Sequence, residues 1–217
     1  MKSIYCLILS NEFSVPMALV DYIPVVLFSL ASILLMRDLH NKMNKRSYSL
    51  FSAGCINITM AGFLKATWKL LYALNICDFQ PLDKMFFPVQ SLGFLLAGIG
   101  LVLMLLQKHH DQLVLSAPVV FMGTFLFVGL MITGLGMIAA VLCILAIKIK
   151  KQWLIALFVL AFICSLGMGY LSSQNFTKAS MNWIAEGVNI IGQGSLFIGS
   201  LLLHKNGLES LRLKGEN

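Results

Sequence analysis

Charge is what this chain has least of. Only 12% of its 217 residues are Asp, Glu, Lys or Arg, against 59% hydrophobic residues, whereas a soluble domain is about a quarter charged. It has no polar stretch long enough for an extramembrane domain and no low-complexity linker. Also missing are HExxH, GxSxG, a P-loop and any RNA-binding motif, so the common signatures of metalloproteases, serine hydrolases and nucleotide enzymes are absent. The net charge of +7 therefore does not point to nucleic acid. In an apolar chain it fits basic cytoplasmic loops. Ten-residue alternating segments, the mark of a membrane β-barrel, do not occur. A cleavable signal peptide is not expected either: Lys2 gives a basic start, but Asn11 and Glu12 interrupt a short apolar run.

What is present is a series of apolar runs, with a mean hydropathy of +0.86. Several are about 20 residues long, enough for a helix to cross ~30 Å of hydrocarbon. The reading is an all-α, polytopic integral membrane protein in a single domain. Spans are expected at about 16–36, 47–74, 86–107, 113–131, 135–149, 152–171 and 181–203. Pro16 suits a helix start, and Pro24 is expected to bend the first span.

The run 113–149 is too long for one span and short for two, and charge decides between the readings. Taken as one span, it divides the loop lysines and arginines almost evenly between the two sides. Taken as two, turning at Thr133-Gly134, it puts Arg37, Lys42, Lys45, Arg46, Lys108, Lys148, Lys150, Lys151, Lys205, Arg212 and Lys214 on one side. Only Lys2, Lys84 and Lys178 remain opposite. The positive-inside rule then favours seven transmembrane helices, N-terminus outside and C-terminus cytoplasmic, in the cell membrane. Gln90 with Gly98 and Glu186 with Gly194 share one spacing. That hints at a three-plus-one-plus-three plan, as in transporters built from parallel repeats.

The five cysteines include no CxxC pair. Cys55, Cys143 and Cys164 read as small core residues, while Cys6 and Cys77 both fall on the expected outer side, where pairing is open.

The informative polar residues lie inside spans. Lys65 and Lys69 are four apart on an otherwise apolar helix and share a face with Trp68 and Tyr72. Asp21, Gln90 and Glu186 sit at a similar expected depth, and Asn189 and Gln193 continue the face of Glu186. Charges within a membrane need a partner, water or a route to the headgroups. One reading is an outer-half cavity that binds a small polar or amphipathic ligand. There Lys65 and Lys69 hold an anionic group, Asp21 and Glu186 balance them or exchange protons, and Trp68 and Tyr72 form an apolar wall. The rival reading ends the second span at Leu64 and leaves the lysines among the headgroups.

The histidines His40, His109, His110 and His204 all fall on the expected cytoplasmic side, near Asp38 and Asp111. Their spacing suits solvated loops better than a metal site. A retinal protein of the usual form is excluded, since the last span carries no lysine. No cofactor is expected. The expected function is that of a transporter or sensor. The alternatives are an intramembrane enzyme acting on a lipid or isoprenoid, using the inner histidines, and a non-catalytic assembly subunit. Expected partners are the bilayer, a small ligand, and a membrane protein or a second copy of the chain.

Overall fold

The computed structural model describes residues 14–106, 124–171 and 179–211. Among these there are helices and turns and no strands. We number the helices α1 (Val15–Val20), α2 (Tyr22–Leu39), α3 (Lys45–Ala73), α4 (Gln80–Leu106), α5 (Thr124–Lys148), α6 (Leu154–Leu171) and α7 (Ala179–Lys205).

Five segments are long and apolar enough to cross a membrane: the α1–α2 unit as far as Lys42, then α3, α4, α5 and α7. This gives the chain the character of a membrane protein. At 18 residues, or ~27 Å at 1.5 Å per residue, α6 is the shortest of the long helices apart from its equal, α2.

Local chemistry sets the ends. Ser14 caps α1 by accepting a hydrogen bond from the Met17 N–H, and Asn44 caps α3 by accepting one from the Ser47 N–H at 2.7 Å. Asn75, at φ 56°, ends α3 in the left-handed conformation. The Ile76 N–H there returns to the Leu71 carbonyl at 3.1 Å. The helix breaks at Asp21, between α1 and α2, because Pro24 has no N–H to offer the Val20 carbonyl. The break leaves an acidic residue at a bend. At the start of α4 the helix begins at Gln80, six residues before the expected 86, with Pro81 in its first turn, where its missing N–H is not needed.

Helices pack mainly on their neighbours, and the neighbours close a ring: α2, α3, α4, α5, α6, α7 and back to α2. Directions follow from the contacts. Val25 lies against Gly62, and Ile58 against Gly93, so α2, α3 and α4 alternate. Phe87 meets Phe127 with ring centroids 6.3 Å apart, and Gly98 meets Gly134 and Met137. Both numbers rise together, so α4 and α5 run parallel. Cys164 against Gly192, and Phe158 against Gly199, make α6 and α7 antiparallel. Two triplets result, α2–α3–α4 and α5–α6–α7, with the same order of directions, as parallel repeats require.

One expectation is corrected here. The turn at Thr133-Gly134, which divided 113–131 from 135–149, does not form; α5 runs unbroken through it. Gly134 serves packing instead of turning. A Cβ there would overlap the backbone of Phe94, so the missing side chain is what lets α4 and α5 touch. Residues 113–123, the first half of the expected fourth span, lie outside the described residues.

Candidate functional site: a lysine shared by two carboxylates

Three helices meet at Lys69. Its Nζ is 2.8 Å from Asp21 Oδ2 and 2.8 Å from Glu186 Oε1. Asp21 comes from the break between α1 and α2, Lys69 from α3, and Glu186 from the second turn of α7. Asp21 is 8% exposed and Glu186 only 3%. The ammonium thus donates to carboxylates from either side of the seam where the ring closes. Buried carboxylates need such pairing, because an unpaired one would face a desolvation penalty of several kcal/mol.

Close by, the Tyr22 and Thr67 hydroxyls are 3.0 Å apart, and Thr67 also donates to the Phe63 carbonyl at 2.8 Å. The helix α3 does not stop at Leu64; it continues past both lysines to Ala73. Its lysines part company. While Lys69 turns to α2 and α7, Lys65 places its Nζ 4.1 Å from the centroid of the Phe86 ring on α4, a cation–π contact. Trp68 leans away from Lys69: its Nε1 donates to Asp78 Oδ1 at 3.0 Å, and its ring lies 5.8 Å from that of Tyr72. These two aromatics tie α3 to the connection that follows it. Gln90 and Asn189 are half-buried.

Gln193 lies two turns along α7 from Glu186. It lines a partly open cavity of about 40 Å³ whose other walls include Phe28, Phe94, Leu142, Phe158 and Ser165. The structure thus brings Asp21, Lys69 and Glu186 into contact and sets Gln193 deeper in the bundle. It directs Lys65, Trp68 and Tyr72 elsewhere.

A second cluster sits at the other end of the same seam. Asp38 on α2, 2% exposed, lies 3.0 Å from His204 Nδ1 on α7. Arg37 Nη2 is 2.8 Å from His204 Nε2, and Arg37 Nε is 3.4 Å from Asp38 Oδ1. The Nδ1–H tautomer satisfies both ring nitrogens, donating to Asp38 and accepting from Arg37. Glu209 is near enough that one ligand atom each from Asp38, His204 and Glu209 fall within 4.8 Å of one another. A guanidinium already occupies the imidazole, however, so the set works as a hydrogen-bonded clamp. Lys42 extends it, donating to the Glu209 and Leu211 carbonyls at 2.7 and 2.8 Å. Away from the clamp, His40 bonds Asn41 and packs on Tyr48. His109, His110 and Asp111 lie outside the described residues, as does Cys6; Cys77 is an exposed free thiol.

Asn182 and Ser200, 4% and 0% exposed, are buried polar residues of α7 outside the predicted site. Asn182 stands one turn before Glu186, and Ser200 one turn before His204. Their helical spacing from those charges was the available signal.

Comparison with protein families, with curated proteins and with solved structures finds no match for this chain.

Proposed function

We propose that this protein is a carrier for a small polar or amphipathic solute, with its outer-half site at Asp21, Lys69 and Glu186. One observation carries the reading: the Lys69 ammonium, its side chain 11% exposed, is shared by carboxylates from the first and last helices of the ring. A charged group reached from both sides of a seam is suited to exchange its protein partners for those of a solute. Charges within membrane bundles mark such sites by default. A solute with an anionic group competes with Asp21 and Glu186 for Lys69. One with a cationic group competes with Lys69 for the acids.

The proposal includes seven crossings of the cell membrane, with the N-terminus outside and the C-terminus cytoplasmic. The parallel directions of α4 and α5 support it, since Leu106 and Thr124 then lie at opposite ends of the bundle. The clustering of Arg37, Lys42, Lys45, Arg46, Lys148, Lys150, Lys151 and Lys205 at the Asp38 end supports the orientation.

The test is thermal unfolding of the detergent-purified protein against a panel of small organic anions, amino acids and amines. At least one class is expected to raise the Tm of the wild type and to have no effect on Lys69→Ala. A panel that leaves the wild type unmoved, or an unchanged response in Lys69→Ala, sinks the reading.

A further inference from the structure

Among the described residues, three buried side-chain oxygens have no hydrogen-bond partner: Glu186 Oε2, Gln193 Oε1 and Ser200 Oγ. All three are on α7, at intervals of seven residues. A seven-residue step turns an α-helix through nearly two full turns, so the three stand in one file, ~10 Å apart along the axis. The opposite face of the same helix is built differently. Ile184, Ile191 and Ile198 repeat at the same interval and are 52%, 54% and 48% exposed. Two residues correspond to ~200° around a helix, so the isoleucines face outward and the oxygens face in.

An unpartnered buried oxygen is destabilising, because it gives up its bonds to water and gains none. Three on one inward face, where alanine or leucine would pack, call for something that hydrogen-bonds to them. The file also joins the two polar clusters. Glu186 belongs to the Asp21–Lys69 set, and His204, one turn beyond Ser200, belongs to the Arg37–Asp38 set. Midway, Gln193 opens on the cavity of about 40 Å³. One water needs roughly 10–15 Å³ of such space, so about three or four fit, while a hydrated metal ion does not. The phenylalanine walls offer such an ion no ligand.

We propose that the inner face of α7 is a path for protons across the bundle, from Glu186 past Gln193 and Ser200 to His204. This deepens the carrier reading, on which it rests, by connecting the solute site to protons from the far face, whether or not solute is bound. The Asp21–Glu186 pair accepts a proton from water on its side and passes it to a water held by Gln193 Oε1. The Ser200 hydroxyl, ~10 Å further along the axis, accepts the proton from water in its turn and donates onward. The Asp38–His204 pair receives the proton and releases it to water at the far face. Gln193 and Ser200 do not ionise; they hold and orient water. The charged groups that set the field are Asp21, Lys65, Lys69 and Glu186 at one end, and Arg37, Asp38, Lys42, His204 and Glu209 at the other.

The experiment uses the full chain in liposomes loaded with a pH-sensitive dye, with a potassium diffusion potential driving proton entry and no solute added. Proton influx is expected at least tenfold above that of protein-free vesicles. Gln193→Leu and Ser200→Ala should each lower it at least tenfold. Ser195→Ala should leave it unchanged, because that hydroxyl donates to the Ile191 carbonyl at 2.8 Å and lies off the file. Ser200→Ala removes a single oxygen, so it keeps the test open if the Gln193 variant does not fold. Wild-type influx at the protein-free level overturns the proposal, as does influx insensitive to both variants or an equal passage of sodium. Solute-dependent Tm shifts that persist without proton influx remove the path and leave the carrier standing. Proton influx without any such shift does the reverse.

Discussion

Asp38 and His204 meet at 3.0 Å across the seam between α2 and α7, with the Asp38 side chain wholly buried. The same two helices meet again, through Lys69, at Asp21 and Glu186. The seam is therefore pinned by polar contacts at both ends, ~25 Å apart by helical rise. The opposite seam, α4 on α5, is apolar and glycine-packed. One edge of the ring is held by ion pairs and hydrogen bonds, and the other by shape.

Removing the imidazole should loosen the first edge. In His204→Ala the buried Asp38 keeps only the 3.4 Å contact to Arg37 Nε, and a loss of about 1–3 kcal/mol is expected. His204→Gln, which can still donate to Asp38, should recover part of it. Thermal unfolding in detergent measures both; equal losses in the two variants would show that the hydrogen bond is not what matters.

A larger effect is expected at Lys69. In Lys69→Ala two buried carboxylates lose their shared cation, and about 3–5 kcal/mol of stability should go. The triple variant Asp21→Asn, Lys69→Ala, Glu186→Gln should recover most of the loss, since no unpaired charge remains. A triple variant as unstable as the single one would mean that packing, and not charge, dominates there.

For the glycine-packed edge the sensitive position is Gly134. Any side chain there collides with backbone, which cannot move aside as the end of a flexible side chain does. Gly134→Val should lower stability by at least the ~1–3 kcal/mol typical of overpacking. Gly129→Val, on the same helix with open space around it, should be nearly neutral. Equal behaviour of the two variants would argue against the close α4–α5 approach.

Sidedness is open to direct labelling. In a Cys6→Ser background, the exposed Cys77 should react with a membrane-impermeant thiol reagent added outside intact cells. A cysteine introduced as Lys150→Cys should react only in inverted vesicles. The opposite pattern would reverse the orientation.

Much of this arrangement was legible in the chain. The apolar runs reported helices long enough for a membrane. Lys65 and Lys69 stood out as charges in an apolar stretch, and depth alone nominated Asp21 and Glu186 as their companions. Helical spacing did not show that the two lysines diverge, one to α2 and α7 and the other onto Phe86. A 40° difference in azimuth decides that, and only the neighbours reveal which way each side chain turns. The turn assigned to Thr133-Gly134 failed for a related reason. Glycine permits both a turn and a close helix contact, and the backbone of Phe94, some 40 positions earlier, selects the second. The polar file on α7 was half visible: Glu186 and Gln193 were marked, whereas Ser200 looked like one more small residue until its burial was known.

The ring closes with its last helix, and that sets an order of assembly. Asp21 and Lys69 enter the membrane early, yet Glu186 follows Lys69 by 117 residues, and His204 follows Asp38 by 166. Until α7 arrives, the growing chain holds an acid–base pair without its third member and a carboxylate without its imidazole. Any factor that assists insertion has to shelter those groups through several rounds of helix entry. A chain interrupted before α7 carries both unmet needs into the bilayer.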